Sequence, residues 1–307
     1  MSATTVEAPP ARPGGRVPEV RPPRERRHVW AYLLPVCVVS TLVFVVPLLF
    51  TIWTATHDTK YYEIGAFNGL STISAMFADD RLLSQVLITL GFAGGALVIA
   101  LPLGLLSAIA LNRVRRLKRT VRSLFLLPWL MSQATAGTIW LWFLNPNFGP
   151  ATDLTNRLGL GSTDVFSSPG PAFLAITLIT AWWSYPQAML LFLGALQTVP
   201  VELKESMQVD GGNAWQTFRN VTLPFIRNTV VSVAVVLLML YVQMVTIILV
   251  TTRGGPLGGT ETLAMRTYNQ MFVGYDMSGA AASALLLFVI NVVLTLVAVR
   301  FRRRETL

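Results

Sequence analysis

The chain has 307 residues, of which 53% are hydrophobic and 13% are charged, and it carries a formal net charge of +9. Soluble domains carry about 25% charged residues, so this composition excludes an ordinary soluble protein and indicates an integral membrane protein. Because Cys37 is the single cysteine, no intrachain disulfide and no cysteine metal cluster can form. His28 and His57 flank the first apolar run, so we predict neither a catalytic histidine site nor a metal site.

Six windows of the sequence contain no Asp, Glu, Lys or Arg. Each exceeds the roughly 20 residues that a helix needs to cross a bilayer, and the short alternating segments of a membrane β-barrel are not visible. The sequence therefore predicts an all-α, polytopic membrane protein with six transmembrane helices. Their predicted bounds are about 30 to 53, 85 to 111, 123 to 144, 171 to 198, 228 to 252 and 278 to 299.

The basic residues are distributed unevenly across the predicted membrane. Of the 24 Lys and Arg residues, 19 lie in the tail 1–28, the loop 113–122, the loop 202–227 and the tail 300–307, and 5 lie in the opposite loops. Because Lys and Arg are enriched in cytoplasmic loops, both termini are predicted to be cytoplasmic. The same distribution favours contact with anionic membrane lipid over a nucleic-acid partner.

Changes in composition give the predicted domain organisation. The first segment is rich in Pro and Arg and has few residues that could form a core, which predicts disorder. The predicted divisions are a disordered cytoplasmic tail at 1–28, a first transmembrane helix with an outer loop at 29–81, a main transmembrane domain at 82–300 with a cytoplasmic loop at 199–226, and a basic cytoplasmic tail at 301–307.

The cytoplasmic loop 199–226 carries signals for two short helices. Gly211 can take the positive φ that ends a first helix. Asn213, followed three residues later by Gln216, predicts a capping box that starts a second helix, which Pro224 is predicted to end. So small a unit cannot bury the apolar faces of its own helices. We therefore expect a partner protein or, alternatively, the membrane surface to cover them.

The outer segment 251–263 is rich in glycine, yet it is not a phosphate-binding loop. The spacing GxxxxGK[ST] of such a loop occurs nowhere in the chain. We therefore expect no ATP hydrolysis by this polypeptide, and any energy from ATP must come from another chain.

Glu205, Gly211 and the pair Leu223-Pro224 match a pattern of Glu-Ala-Ala, three further residues, Gly and a later Leu-Pro, whereas Ser206 and Met207 replace the two alanines. On these residues the loop resembles the cytoplasmic coupling loop of ABC-importer permeases, known as the EAA motif with its coupling helix. The resemblance implies contact with an ATPase subunit for Glu205, Ser206, Met207, Asp210, Gly211, Trp215, Phe218, Leu223 and Pro224.

A second resemblance narrows the family. GGPLGGTETL at 254–263 and DMSGAAASA at 276–284 are similar to the first permease subunit of carbohydrate importers of the maltose and glycerol-phosphate type. The likeness covers about 82–300 and implies sugar import through the plasma (inner) membrane of a bacterium. It also implies assembly with a second homologous permease, two ATPase subunits or an ATPase homodimer, and an extracytoplasmic substrate-binding protein or lipoprotein. ATP and Mg²⁺ would then bind the ATPase subunits, with no cofactor on this chain.

The predicted spans carry no formal charge in their cores, which disfavours a carboxylate relay for protons or sodium. Aromatic faces and neutral hydrogen-bonding groups near mid-depth favour an uncharged sugar or polyol, moved by alternating access. Packing and polar contacts between helices are the alternative role of these side chains. The candidate substrate-pathway residues are Trp182, Trp183, Tyr185, Gln187, Tyr241 and Gln243.

Two other functions stay open on the sequence. One is an ABC permease for another small solute, such as a sugar phosphate or a polyamine. The other is a polytopic membrane enzyme, although the acids of the outer loops show no metal-binding or acid–base spacing. The predicted function is that of a transport subunit that is not itself an enzyme.

Overall fold

The computed structural model describes residues 26–114, 116–159 and 164–304. The predicted disordered tail lies outside the described residues as far as residue 25, and so do the last three residues of the predicted basic tail. The chain divides into two compact units, residues 1–48 and 49–307. The described residues are mostly helical, as predicted, and two short strands are the exception to the all-α fold class.

The first unit is helical throughout its described part. α1 (Arg26–Ser40) leads through a π-helical turn, Thr41–Val45, into the start of α2 (Val46–Ala55). The apolar stretch Leu33–Ala55 has 23 residues, which is long enough to cross a bilayer. This helix agrees with the first predicted span.

A small polar segment follows α2 in the second unit, where we predicted only a loop. β1 (His57–Lys60) and β2 (Glu63–Phe67) pair in antiparallel fashion, with Lys60 opposite Glu63. A two-residue turn, Tyr61-Tyr62, joins the strands, and α3 (Ser71–Phe77) follows. We use "outer side" for this side of the unit, which lies opposite the loop 199–226.

Two long helices, α4 (Arg81–Arg113) and α8 (Pro169–Gln197), pack along one another at the centre of the second unit. In the most apolar 18-residue stretch of α8, 67% of the residues are buried, whereas the same fraction for α4 is 28%. Small residues bring the two helices close together, since a Cβ atom added to Gly104 would lie 2.6 Å from the Cβ of Ala188. The helix α8 is therefore the core of this unit.

The predicted third span is broken. α5 (Lys118–Leu130) and α6 (Gln133–Phe143) meet at 91°. The hydroxyl of Ser132 caps α6 by accepting a hydrogen bond of 3.1 Å from the backbone N–H of Thr135, and Pro128 lacks a backbone donor one turn earlier. The span that we predicted at 123–144 is therefore divided between two helices. The described residues hold five helices long and apolar enough to span a membrane, or six if the bent pair counts as one.

The fifth predicted span begins earlier than we expected and ends in a break. Pro224 does not end the second short helix: it lies in the first turn of α11, directly after a π-helical turn. The wider turn, in which the N–H of Leu223 bonds the carbonyl of Phe218, makes room for a residue without a backbone donor. The elements here are α9 (Val201–Val209), α10 (Ala214–Thr217), the π-helical turn Phe218–Thr222, α11 (Leu223–Val242) and, after a break, α12 (Thr246–Thr251).

The remaining elements lie at the outer side and in the last span. The N–H of Ser278 donates a hydrogen bond of 2.8 Å to the hydroxyl of Thr59, which fixes the β1–β2 hairpin to the start of the last helix. The elements are α7 (Pro150–Arg157) between α6 and α8, α13 (Leu263–Tyr268), a π-helical turn Asn269–Val273, and α14 (Met277–Arg304).

Candidate functional site

The turn between α9 and α10 is fixed by backbone hydrogen bonds. Gly211 has φ +80°, a conformation that glycine adopts without a steric cost. Its N–H bonds the carbonyl of Gln208 at 3.1 Å, and the N–H of Gly212 bonds the carbonyl of Met207 at 2.9 Å. These two bonds form a Schellman motif, which satisfies the last carbonyls of α9. Asp210 is the C-cap residue of the same helix.

The start of α10 carries the predicted capping box. The side chain of Asn213 accepts from the N–H of Gln216 at 2.9 Å, and the side chain of Gln216 accepts from the N–H of Asn213 at 2.7 Å. The hydroxyl of Thr217 adds a bond of 3.0 Å to the carbonyl of Asn213. The loop is therefore a preformed unit with its own caps at both ends of the turn.

The surface of this unit carries exposed apolar side chains among its polar and charged ones. Val209 is 87% exposed and Trp215 is 66% exposed, and the ring of Trp215 lies 5.7 Å from that of Phe218. None of the residues of α9 is buried in the described part of the chain. Glu205 and Ser206 are also exposed, and Met207 is half-buried. We name the set Val201, Leu203, Val209, Trp215 the inner apolar patch.

A cavity of about 210 Å³ connects this unit to the ends of α4 and α8. Arg113 and Leu196 line it from the two long helices, and Lys204 and Phe218 line it from the loop. The cavity therefore lies between the loop and the ends of α4 and α8 that face it.

Four of the six predicted substrate-pathway residues are engaged in packing. The indole N–H of Trp183 donates to the carbonyl of Met131 at 3.0 Å, within the break between α5 and α6. Tyr241 is 1% exposed, and its hydroxyl lies 2.6 Å from that of Ser184. The hydroxyl of Tyr185 donates to the carbonyl of Phe125 at 3.3 Å, and Trp182 packs edge-on against Trp140.

The other two predicted residues meet across a cavity. Gln187 of α8 and Gln243, at the break after α11, both line a space of about 460 Å³. Gln133 at the start of α6 lines the same cavity. Gln243 also borders a second cavity of about 320 Å³, together with Asn291 of α14. Among the residues that the structure describes, neither lining includes a charged one.

Gln133 and Asn291 were absent from our candidates. Both are uncharged amides in apolar segments, which is the signal that could have identified them. Their placement depends on the bend between α5 and α6 and on the packing of α14, which no local pattern specifies.

A second group missed by the sequence analysis is a polar network at the outer side. Arg266 is 8% exposed and pairs with the carboxylate of Asp79 at 2.7 Å and with the side-chain oxygen of Gln85, also at 2.7 Å. The amide of Gln85 donates to Glu261 at 3.0 Å, and that of Asn269 donates to the same carboxylate at 2.9 Å. This network ties the segment 251–276 to the start of α4.

The Asp79 carboxylate has a lowered pKa in this setting. The backbone N–H of Arg81, which donates to it at 3.0 Å, is the largest cause. The guanidinium of Arg266 stabilises the charged form further, and partial burial acts in the opposite direction. Asp79 is therefore held ionised as the partner of a buried arginine.

Comparison with known proteins gives consistent matches over most of the chain. Residues 100–306 match the family described as binding-protein-dependent transport system inner membrane component. A probable ABC transporter permease protein of Brucella suis biovar 1 is 29% identical, with 89% of this chain and 96% of the relative covered. The sulfoquinovosyl glycerol transport system permease protein SmoG of Agrobacterium fabrum is 30% identical, with 89% of each chain covered.

Two further matches extend the comparison. The sn-glycerol-3-phosphate transport system permease protein UgpA of Yersinia pestis is 29% identical, with 89% of this chain and 93% of the relative covered. Among solved structures, a chain of a bacterial ABC transporter involved in the import of the acidic polysaccharide alginate is similar with a TM-score of 0.78. That match covers 92% of this chain and 97% of the other at 21% identity, so it bears on the fold alone.

Proposed function

We infer the function of this chain from the family to which it belongs, the binding-protein-dependent transport system inner membrane components. The chain is the transmembrane permease subunit of an ATP-driven importer. The observation that carries this proposal is the preformed pair α9 and α10, which presents the inner apolar patch and joins α8 directly to α11.

The coupling step follows from that arrangement. Burial of the Trp215 side chain in a groove of an ATPase subunit would contribute on the order of 1.5–3 kcal/mol. The exposed carboxylate of Glu205 would add a charge-assisted hydrogen bond to a cationic group of that subunit. Because the turn at Gly211 is fixed by its own hydrogen bonds, the two helices would move as one body when the ATPase subunits close.

The proposed assembly contains further chains. A second homologous permease completes the pathway, two ATPase subunits bind ATP and Mg²⁺ in the cytoplasm, and an extracytoplasmic binding protein or lipoprotein delivers the solute. The excess of Lys and Arg in the tails and in the loops 113–122 and 202–227 supports a bacterial inner-membrane orientation with both termini in the cytoplasm.

The proposed solute is a sugar or a related neutral polyol. The cavity of about 460 Å³ offers the amides of Gln133, Gln187 and Gln243 and no charged group, which suits a hydroxyl-rich, uncharged molecule. A sugar phosphate is the second candidate, because one relative is named for sn-glycerol-3-phosphate.

Coupling is tested by charge reversal in the reconstituted importer. Glu205→Lys should reduce solute uptake by about tenfold while ATP hydrolysis continues, since it removes one charge-assisted contact. Glu205→Gln should give a smaller loss, and Glu202→Lys, the same reversal at an exposed position three residues earlier, should leave uptake near the wild-type level. Uptake that persists with hydrolysis-deficient ATPase subunits would contradict ATP-driven import.

The solute cavity is tested by removing its amides. Gln187→Ala and Gln243→Ala should each raise the KM of uptake several-fold, because each removes a hydrogen-bonding group that lines the cavity. Gln197→Ala is the matched control, since Gln197 is exposed on the same helix as Gln187 and does not line this cavity. Competition of uptake by neutral sugars, but not by sugar phosphates, would distinguish the two solute classes. Unchanged KM values would show that Gln187 and Gln243 do not belong to the substrate pathway.

A further inference from the structure

A buried amide on α14 has an oxygen without a hydrogen-bond donor. Asn291 is 7% exposed, and its Nδ2 donates to the carbonyl of Leu287, one turn earlier on the same helix, at 3.0 Å. Its Oδ1 accepts no hydrogen bond from any residue that the structure describes. Because a buried acceptor without a donor destabilises a fold, the packing of α14 does not account for this asparagine.

Asn291 lines the cavity of about 320 Å³, which we name the α14 cavity. Gln243 and Val245 line the α14 cavity and also the cavity of about 460 Å³ bordered by Gln133 and Gln187, which we name the amide cavity. The two cavities therefore adjoin at the break between α11 and α12. A solute bound in the amide cavity has the α14 cavity directly beside it.

The lining of the α14 cavity combines apolar walls with a few hydrogen-bonding groups. Leu287 and Phe288 supply apolar surface from α14, and Gln243, Thr267 and Asn291 are the polar members. The hydroxyl of Thr267 already donates to a carbonyl of its own helix, α13, at 2.9 Å. Apolar walls with a few polar groups are typical of small-molecule sites. The α14 cavity therefore has the lining of a ligand site, with the oxygen of Asn291 as an unpaired acceptor.

The missing donor limits the chemistry of the ligand. A hydroxyl group can donate to the Oδ1 of Asn291 without bringing a charge, whereas an ionised phosphate or carboxylate offers only acceptors. An ammonium group could donate, but neither cavity has a charged lining residue in the described chain, and a buried cation without an opposite charge is costly. The lining therefore favours a neutral, hydroxyl-bearing molecule over a sugar phosphate or a polyamine.

The size of the two cavities indicates more than one sugar unit. Small-molecule sites measure about 300–1,000 Å³, and each cavity by itself lies in the lower half of that range, whereas the two together lie in its upper half. We propose that the α14 cavity is a second solute subsite, in which Asn291 accepts a hydrogen bond from a hydroxyl of a second sugar unit. This inference rests on the proposed function and makes its solute a disaccharide or a longer neutral saccharide.

The test replaces Asn291 in the importer assembled in liposomes with its second permease, its ATPase subunits and its binding protein. The probes are radiolabelled glucose, galactose, maltose, lactose and maltotriose. We expect uptake of at least one of the three larger saccharides, and Asn291→Leu should lower its kcat/KM about tenfold through the loss of one hydrogen bond. The Tm of Asn291→Leu should be unchanged or higher, because an apolar side chain of the same branched shape replaces an unpaired buried oxygen.

Two further variants separate a subsite from a structural role. Asn291→Gln keeps an amide oxygen and should lose less uptake than Asn291→Leu. Asn228→Leu makes the same chemical change at an exposed position of α11 that lines neither cavity, and it should leave kcat/KM unchanged. A lower Tm of Asn291→Leu would show that Asn291 holds helices together, and it would overturn the subsite.

The remaining outcomes distinguish the subsite from the proposed function. An unchanged kcat/KM in Asn291→Leu, or an equal loss in Asn228→Leu, would overturn the subsite and leave the proposed function standing. Uptake of glucose or galactose alone would do the same, since one sugar unit needs no second subsite. ATP-dependent uptake of none of the probes would overturn the neutral sugar of the proposed function, and the subsite with it.

Discussion

The loop 199–226 and the outer segment 251–276 are both short polar interruptions between apolar helices, yet they are held in opposite ways. In the inner loop, α9 has no buried residue within the described chain, and its hydrogen bonds connect residues only a few positions apart. In the outer segment, α13 buries Leu263, Ala264, Met265 and Arg266. Its polar groups bond Gln85, which is 176 and 181 positions away from Glu261 and Arg266.

This difference separates a movable part from a fixed one. A unit that satisfies its own caps can shift as a whole without leaving buried polar groups unpaired. A segment whose buried arginine depends on side chains of another helix cannot shift without breaking that pairing. The inner loop is therefore suited to transmit movement, and the outer segment is suited to resist it.

The largest expected effect comes from breaking the fixed region. Arg266→Met should lower the free energy of unfolding by about 1.5–3 kcal/mol, because Asp79 loses its charged partner and Gln85 loses a hydrogen-bond donor. Arg253→Met makes the same chemical change at an exposed position of the same segment and should have little effect. Unfolding in mixed micelles measures the stability of both variants. Equal stabilities of Arg266→Met and Arg253→Met would show that the network does not hold the outer segment.

An intermediate effect is expected at the movable region. Gly211→Val should cost about 1–2 kcal/mol of stability, because valine is strained at positive φ, and should also uncouple ATP hydrolysis from uptake. Gly159→Val is a matched control at the outer side: Gly159 has φ +72°, and like Gly211 it has no atom within 4 Å of an added Cβ. Uncoupling by both substitutions would trace the effect to lost stability and contradict a coupling role for the turn.

The smallest expected effect concerns pH. The pKa of Asp79 is lowered in the folded protein, so its stabilising contribution is complete above the ordinary value of 3.8 and is lost as the pH falls through the folded-state value. As the pH falls from about 5 to about 3, the Tm of the wild-type protein should therefore decrease more steeply than the Tm of Asp79→Asn. Parallel curves would mean that Asp79 does not stabilise the charge of Arg266 measurably.

Local signals in the inner loop were sufficient to predict the turn between α9 and α10. The capping box of Asn213 and Gln216 and the helix end at Gly211 depend on residues within one turn, so spacing alone identifies them. The apolar helices follow from composition in the same way. The site residues that depend on packing could not be predicted from the sequence. The helix α8 is central because small residues such as Gly104 allow α4 to pack closely against it, and the periodicity of one helix does not show which other helix it contacts.

The differences from the predicted third and fifth spans have a common physical origin. At Pro128 and Pro224 the sequence carries the same helix-breaking residue, but the outcome depends on the neighbouring backbone. Near Pro128 the chain becomes extended at Met131 and Ser132 starts a new helix at a steep angle. Before Pro224 a π-helical turn absorbs the missing donor and the helix continues. A proline marks a place where the helix must adapt, and tertiary packing selects how.

The uninterrupted run from Ala214 to Val242 has a mechanical consequence. Its 29 residues extend for about 43 Å at 1.5 Å per residue. A rigid rod of that length, tilted by roughly 5° about its end in the loop 199–226, carries its far end sideways by about 4 Å. Gln243 follows that far end immediately. A small tilt of this helical run therefore changes the width of the cavity that Gln243 lines.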